Sequence, residues 1–142
     1  TQLLEIKKGD KILEIGSGSG FQTCVLCEMG AKVYSIERHK ELHIKAKAIV
    51  RHFGYSARLS FGDGYKGLPT FAPFDKIIIT CGAPEIPLEL VNQLKVGGLM
   101  IIPVGAGEKQ MMKLVIKESE TEFTEEDLGV FSFVPMLEKR VR

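Results

Sequence analysis

Ten residues near the start, Lys11–Gly20 (KILEIGSGSG), constrain the chain more than any others. A short apolar run ends in three glycines spaced one residue apart, and an apolar stretch of helical character follows directly. Glycine permits positive φ and lets another group lie against bare backbone. A helix that opens behind such a turn presents N–H groups that no preceding carbonyl has taken up. A tight strand-to-helix turn often requires one glycine. Three alternating glycines exceed that requirement and predict a ligand-binding turn.

Beyond this turn, apolar runs and helical patterns alternate, which predicts an α/β fold: a doubly wound, mostly parallel sheet with helices on both faces. The expected strands are Lys11–Ile15, Lys32–Ile36, Arg58–Phe61, Phe74–Thr80 and Leu99–Val104. The expected helices are Phe21 to about Met29, Lys40–Phe53 and a short Pro87–Leu94. Ile77, Ile78 and Ile79 are consecutive, as in a strand covered on both faces. After Gln110 two extended segments, Met111–Glu118 and Val130–Val134, flank an acidic stretch, Glu118–Asp127. With no helix between them, they predict an antiparallel pair at the C-terminal edge of the sheet. No linker or internal repeat interrupts the pattern, so one domain over 1–142 is expected.

Composition narrows the function classes. The 142 residues carry a formal net charge of +1, which provides no field for drawing in nucleic acid or an anionic membrane. No apolar run approaches the roughly 20 residues of a membrane-spanning helix. No secretory pattern precedes the first strand, so the expected compartment is the cytoplasm. Cys24 and Cys27 form a C-x-x-C inside an apolar helix and are expected to be buried, reduced thiols. His39 and His43 share a helical face but lie among charged residues, and no metal site is expected. Thr1 opens in mid-pattern (Leu3, Leu4, Ile6), as if in the tail of a longer helix, which suggests a processed, truncated or engineered chain.

Three acids fall at successive strand ends. Glu14 precedes the glycine turn, Glu37 ends the second strand, and Asp63 follows the third in Gly62-Asp63-Gly64. The carboxyl edge of an open α/β sheet is where ligands bind. An acid at the position of Glu37 can accept hydrogen bonds from both ribose hydroxyls, and Asp63 suits an adenine amino group. Either could instead be ordinary, Glu37 as the start of a helix and Asp63 as part of an Asp-Gly turn. A dinucleotide site prefers G-x-G-x-x-G, but Phe21 stands where its third glycine would be.

The form E-x-G-x-G-x-G instead resembles the first motif of S-adenosylmethionine-dependent methyltransferases. Ile12–Thr23 (ILEIGSGSGFQT), Val33–Arg38 (VYSIER), Gly62–Gly67 (GDGYKG), Ala72–Asp75 (APFD), Ala83–Pro87 (APEIP) and Val134-Pro135-Met136 together resemble the protein-L-isoaspartate O-methyltransferase family in order and spacing. The resemblance implies S-adenosylmethionine as cofactor and isoaspartyl-containing proteins and peptides as partners. It implies methylation of their side carboxylate, giving an ester that collapses to a succinimide and can reopen as aspartate. Gly16, Ser17, Gly18, Ser19 and Gly20, with Glu14 beside them, would hold the methionine end. Glu37, with Arg38, would hold the ribose, and Gly62, Asp63 and Gly64 the adenine. Cys81, Gly82, Ala83 and Pro84 would line the methyl-transfer side, and Phe133, Val134 and Pro135 would lie near substrate. The family assigns an active-site hydroxyl to a Ser/Thr-Ile-Ser-x-Pro motif that no stretch of this chain matches, so catalytic residues are expected in a segment preceding Thr1. Two other classes stay open: a non-catalytic adenosine-binding remnant and a nicotinamide-dependent oxidoreductase.

Overall fold

Residues 4–105 and 109–132 are described by a computed structural model. The apolar runs form β1 (Lys11–Ile15), β2 (Lys32–Glu37), β3 (Arg58–Phe61), β4 (Phe74–Ile79) and β5 (Leu94–Val104). Helices α1 (Phe21–Glu28), α2 (Lys40–His52) and α3 (Leu88–Val91) follow β1, β2 and β4, two 3-10 turns (Gly64–Lys66 and Pro69–Phe71) follow β3, and β6 (Lys109–Lys117) and β7 (Phe123–Ser132) complete the sheet. The strand order is β3-β2-β1-β4-β5-β6-β7, parallel through β5 and antiparallel from β5 to β7.

The sheet is wound from both sides because β1 alternates its side chains between two cores. Ile12 packs with Leu26 of α1, Val33 and Ile78 on one face. Leu13 and Ile15 pack with Phe74, Ile77, Ile79, Met100 and the α3 residues Leu90 and Val91 on the other. Burying each such Leu or Ile contributes about 1.5–3 kcal/mol. Among the described residues no helix is long and apolar enough to cross a membrane.

Four expectations need correction. The helix anticipated over Pro87–Leu94 is the single turn Leu88–Val91. Gln93 leaves it because its amide is recruited elsewhere, donating to the Lys66 carbonyl and accepting from the Leu68 N–H, both at 2.9 Å. The fifth strand therefore begins at Leu94 rather than Leu99, with a register shift opposite Phe74–Lys76. The acidic stretch is not a connection, since β7 starts at Phe123 and carries Glu125, Glu126 and Asp127. An edge strand leaves those carboxylates in water, and Lys113 of β6 reaches both Glu125 and Asp127 at 2.9 Å. The C-x-x-C thiols are half-buried rather than buried. Burial still pushes the Cys27 thiol up to about 11, so it stays protonated at neutral pH. Among the described residues no group of three or more His, Cys, Asp or Glu is placed to hold a metal.

Candidate functional site

Parallel register aligns the strand ends that carry the candidate residues. Ile15 lies beside Ile36 and Ile79, and Glu37 beside Phe61. The turn Gly16–Gly20, Glu37, the segment Gly62–Gly64 and the segment Thr80–Pro84 thus leave the sheet at one edge. The chain runs outward from β1 to β2 on one side and reaches β4 on the other, which makes this edge the topological switch point.

The three turn glycines have different physical reasons. Gly16 (φ 97) could not carry a Cβ, which would fall 2.3 Å from the Thr80 hydroxyl; that hydroxyl donates to the Ile15 carbonyl at 3.1 Å. Gly20 (φ 89) is pressed against α2, where a Cβ would stand 3.0 Å from the Ala46 Cα. Only Gly18 (φ 56) has open space in front of it, with nothing within 4 Å of a Cβ position. Packing thus accounts for two of the glycines, and of the three Gly18 alone presents bare backbone to open space.

Glu37 holds that surface in place. Its side chain is 4% exposed. Oε1 accepts the Gly18 N–H at 2.9 Å and Oε2 accepts the His39 N–H at 3.0 Å. The Glu37 carbonyl accepts from the Gly62 N–H at 3.0 Å, tying β2 to the segment after β3. There Asp63 is exposed and Oδ1 accepts from the Tyr65 N–H at 3.0 Å. Gly64 meets the tip of β1 closely, since a Cβ would fall 2.3 Å from Ile15 Cγ2. Arg38 and Ser19 are exposed beside these groups.

Glu14 sits behind the turn rather than on it. Its side chain is fully buried, and its carboxylate accepts from Thr23, from Ser35 at 2.7 Å and from Gln22 at 3.1 Å. Ser35 also hydrogen-bonds to the buried Ser17 hydroxyl. Burial raises the Glu14 pKa above its usual value, opposed by the bonds from Thr23, Ser35 and Gln22. The acid therefore locks β1, β2 and α1 together, and Ser17 faces a ligand only through its backbone. Neither Thr23 nor Ser35 stands out in the sequence as a site residue; the one signal there is a serine inside the buried run of Lys32–Glu37.

After β4, Cys81 and Pro84 are exposed, while Ala83 is buried and continues the sheet. Its N–H donates to the Pro103 carbonyl at 3.0 Å, and its carbonyl accepts from the Gly105 N–H at 2.8 Å. Phe133, Val134 and Pro135 lie outside the described residues. A cavity of about 490 Å³ opens elsewhere, between α1 and α2; it is lined by Phe21, Val25, Ile49 and Phe53 and shares only Ser19 with the strand-end site.

The residues present fit an adenosyl amino acid. Gly20 precedes helix α1 as an N-cap with no side-chain bond; the Phe21 N–H makes only a long 3.4 Å bond to Ser19 Oγ, so the first turn of the helix can still present N–H groups to a carboxylate. The Ser17 and Ser19 N–H groups have no acceptor among the described residues. Acceptors for hydroxyl and amino donors stand at the ends of β2 and β3.

Comparison with known proteins agrees with this geometry. The family model for protein-L-isoaspartate(D-aspartate) O-methyltransferase matches residues 1–141. The protein-L-isoaspartate O-methyltransferase of Christiangramia forsetii is 57% identical over 141 residues, which make up 99% of this chain and 66% of that protein. The chain thus spans slightly less than two thirds of the length of the curated relatives to which it is 57% identical. A solved protein-L-isoaspartate O-methyltransferase superposes with a TM-score of 0.86 at 29% identity, covering 94% of this chain and 44% of that one. A Plasmodium falciparum protein assigned the same activity, solved with S-adenosyl-L-homocysteine, gives 0.80 at 21% identity, covering 94% and 67%, a likeness of fold. Matched along nearly its whole length by the family's model and by its members, the chain belongs to the protein-L-isoaspartate(D-aspartate) O-methyltransferase family.

Proposed function

We propose that residues 1–142 form a single S-adenosylmethionine-binding core, part of a cytoplasmic enzyme that methylates the side carboxylate of L-isoaspartyl residues in damaged proteins and peptides. The observation that carries this reading is the open backbone at Gly18, held by Glu37, in a chain 57% identical to a protein of that activity. In this reading the Ser17 and Ser19 N–H groups and the start of α1 take the methionine carboxylate. Glu37 has lone pairs left for the ribose hydroxyls, and Asp63 accepts from the adenine amino group. Glu14 contributes by fixing the turn from behind, and Cys81–Pro84 border the acceptor side.

When bound, S-adenosylmethionine supplies a methyl group on a positively charged sulfur. The accepting carboxylate has an ordinary pKa near 4 and is ionised at neutral pH, so no protein group need remove a proton. What the protein contributes is alignment, which can lower a barrier by roughly 7–11 kcal/mol. Among the described residues no His–acid or Cys–His side-chain hydrogen bond stands at the strand ends, and this chemistry requires none.

Titration calorimetry with S-adenosylhomocysteine and with NAD tests the cofactor assignment. Saturable binding of the homocysteine product with no response to NAD is expected. The opposite order of preference would refute it.

A further inference from the structure

The peptide between Gly82 and Ala83, on the loop after β4, is fastened from several directions. The Tyr65 hydroxyl, carried by the loop after β3, donates to the Gly82 carbonyl at 2.7 Å. Gly82 is also covered by the Gln110 side chain, whose Nε2 lies 1.8 Å from where a Cβ would be, so a larger residue there would have to push the Gln110 amide aside. Ala83 is then bonded into the end of β5.

Tyr65 is itself held firmly. It follows Asp63, which caps a 3-10 turn over Gly64–Lys66 through the Tyr65 N–H. Gln93, 5% exposed, clamps the far end of the same loop at Lys66 and Leu68. The clamp is close enough that a Cβ on Gly67 (φ 61) would stand 2.3 Å from Gln93 Oε1. The Tyr65 ring packs against the core beneath α3. Burial, with the neighbouring Cys81, pushes its hydroxyl up to about 12, so it remains a donor across the physiological range.

One rigid loop therefore bears Asp63 at its start, Tyr65 in its middle and the Gln93 clamp at its end. Through Tyr65 it reaches the backbone of the loop that carries Cys81–Pro84. We propose that Tyr65 is a positioning residue that holds the loop after β4 at a fixed offset from the loop after β3, registering the methyl-acceptor side of the site against the adenosine side. The inference rests on the methyl-transfer reading for its functional meaning, whereas the tether itself does not.

Amide hydrogen exchange on the whole protein, with and without S-adenosylhomocysteine, separates the possibilities. In the parent protein the ligand should slow exchange in both 62–68 and 81–84. Tyr65→Phe keeps the ring and removes one hydrogen bond. Exchange at the Gly82 and Ala83 amides, the only ones in 82–84, should rise roughly fivefold, the equivalent of a typical single bond. Ligand protection should persist at 62–68 but no longer reach 81–84. The dissociation constant for the homocysteine product should change less than about threefold, while kcat on an isoaspartyl peptide falls on the order of tenfold from misalignment. Gln93→Met should loosen both loops, because it releases the one that carries Tyr65. Unchanged exchange at 82–84 in Tyr65→Phe, or loosening confined to 62–68 in Gln93→Met, would overturn the proposal. Failure of the parent protein to bind the ligand would instead remove the methyl-transfer reading, and exchange rates in the ligand-free protein would still judge the tether.

Discussion

Glu37 and Gly18 lie 19 positions apart and are joined by a 2.9 Å hydrogen bond from the glycine N–H to Oε1 of the carboxylate. The same side chain accepts from His39 at the start of α2. An acid whose place at a strand end suits a ribose therefore also holds the turn on which that ligand would lie.

Glu37→Ala should accordingly affect two measurements. Affinity for S-adenosylhomocysteine should fall at least about tenfold, since charge-assisted bonds contribute about 1.5–3 kcal/mol each. The ligand-free protein should also lose roughly 1–3 kcal/mol of stability, because the Gly18 and His39 N–H groups lose their acceptor. Calorimetry and urea melts check both. Reduced affinity at full stability would mean that the internal bonds contribute nothing.

The turn glycines should respond differently to alanine. Gly20→Ala forces a methyl group into the Ala46 backbone at positive φ and should cost at least about 2 kcal/mol through steric strain. Gly18→Ala meets only the conformational penalty of about 1 kcal/mol, yet it places a methyl group on the proposed ligand surface. The expected pattern is a large drop in Tm for the first. The second should show a small drop with binding abolished.

Glu14 supplies a pH signature. Burial, against the opposing bonds from Thr23, Ser35 and Gln22, leaves its folded pKa above the ordinary 4.5, so the native state holds the proton more tightly than the unfolded chain. Its favourable contribution is fully present below about pH 4.5 and is lost as pH rises through the raised value. Within that window the slope cannot exceed about 1.4 kcal/mol per pH unit. Glu14→Gln removes the titration, so urea melts from pH 4.5 upward should show the variant gaining on the parent as pH rises. Parallel stability curves would show that the folded carboxyl titrates as it does in the unfolded chain.

Lys117 is buried with no carboxylate partner among the described residues, and its ammonium donates to the Leu94 carbonyl at 2.9 Å. Lys117→Met matches its length and apolar stem but leaves that carbonyl without a donor. A loss of about 1–3 kcal/mol is expected in denaturant melts, with no change in cofactor affinity.

Much of this fold is legible in the sequence, because parallel strands buried on both faces read as short apolar runs between turns. Lys11–Ile15 and Arg58–Phe61 have the bounds that their flanking glycines and polar residues suggest. The acidic run before Gly129 suggests a connection and forms a strand instead, because an edge strand tolerates carboxylates that a central one would not. The last turn expected of α3 was lost to a tertiary bond, the recruitment of Gln93 by Lys66 and Leu68. At the site, Glu37 and the Gly18 turn could be picked out by residue type and spacing. The inward orientation of Glu14 could not, since it depends on Thr23 and Ser35 lying beside it in space. Nor could the bond from Tyr65 to Gly82, whose acceptor is a backbone carbonyl that any residue would offer.

The carboxylates of β7 have a consequence for how the sheet ends. A last strand normally offers its free N–H and C=O groups as a template for another chain. Here a newcomer would have to lie alongside Glu125, Glu126 and Asp127 in succession, with Lys113 already occupied by two of them. At the other end β3 is only four residues long and begins with an exposed Arg58. Among the described residues neither margin offers a long uncharged template to a further strand: charge guards one edge and brevity the other.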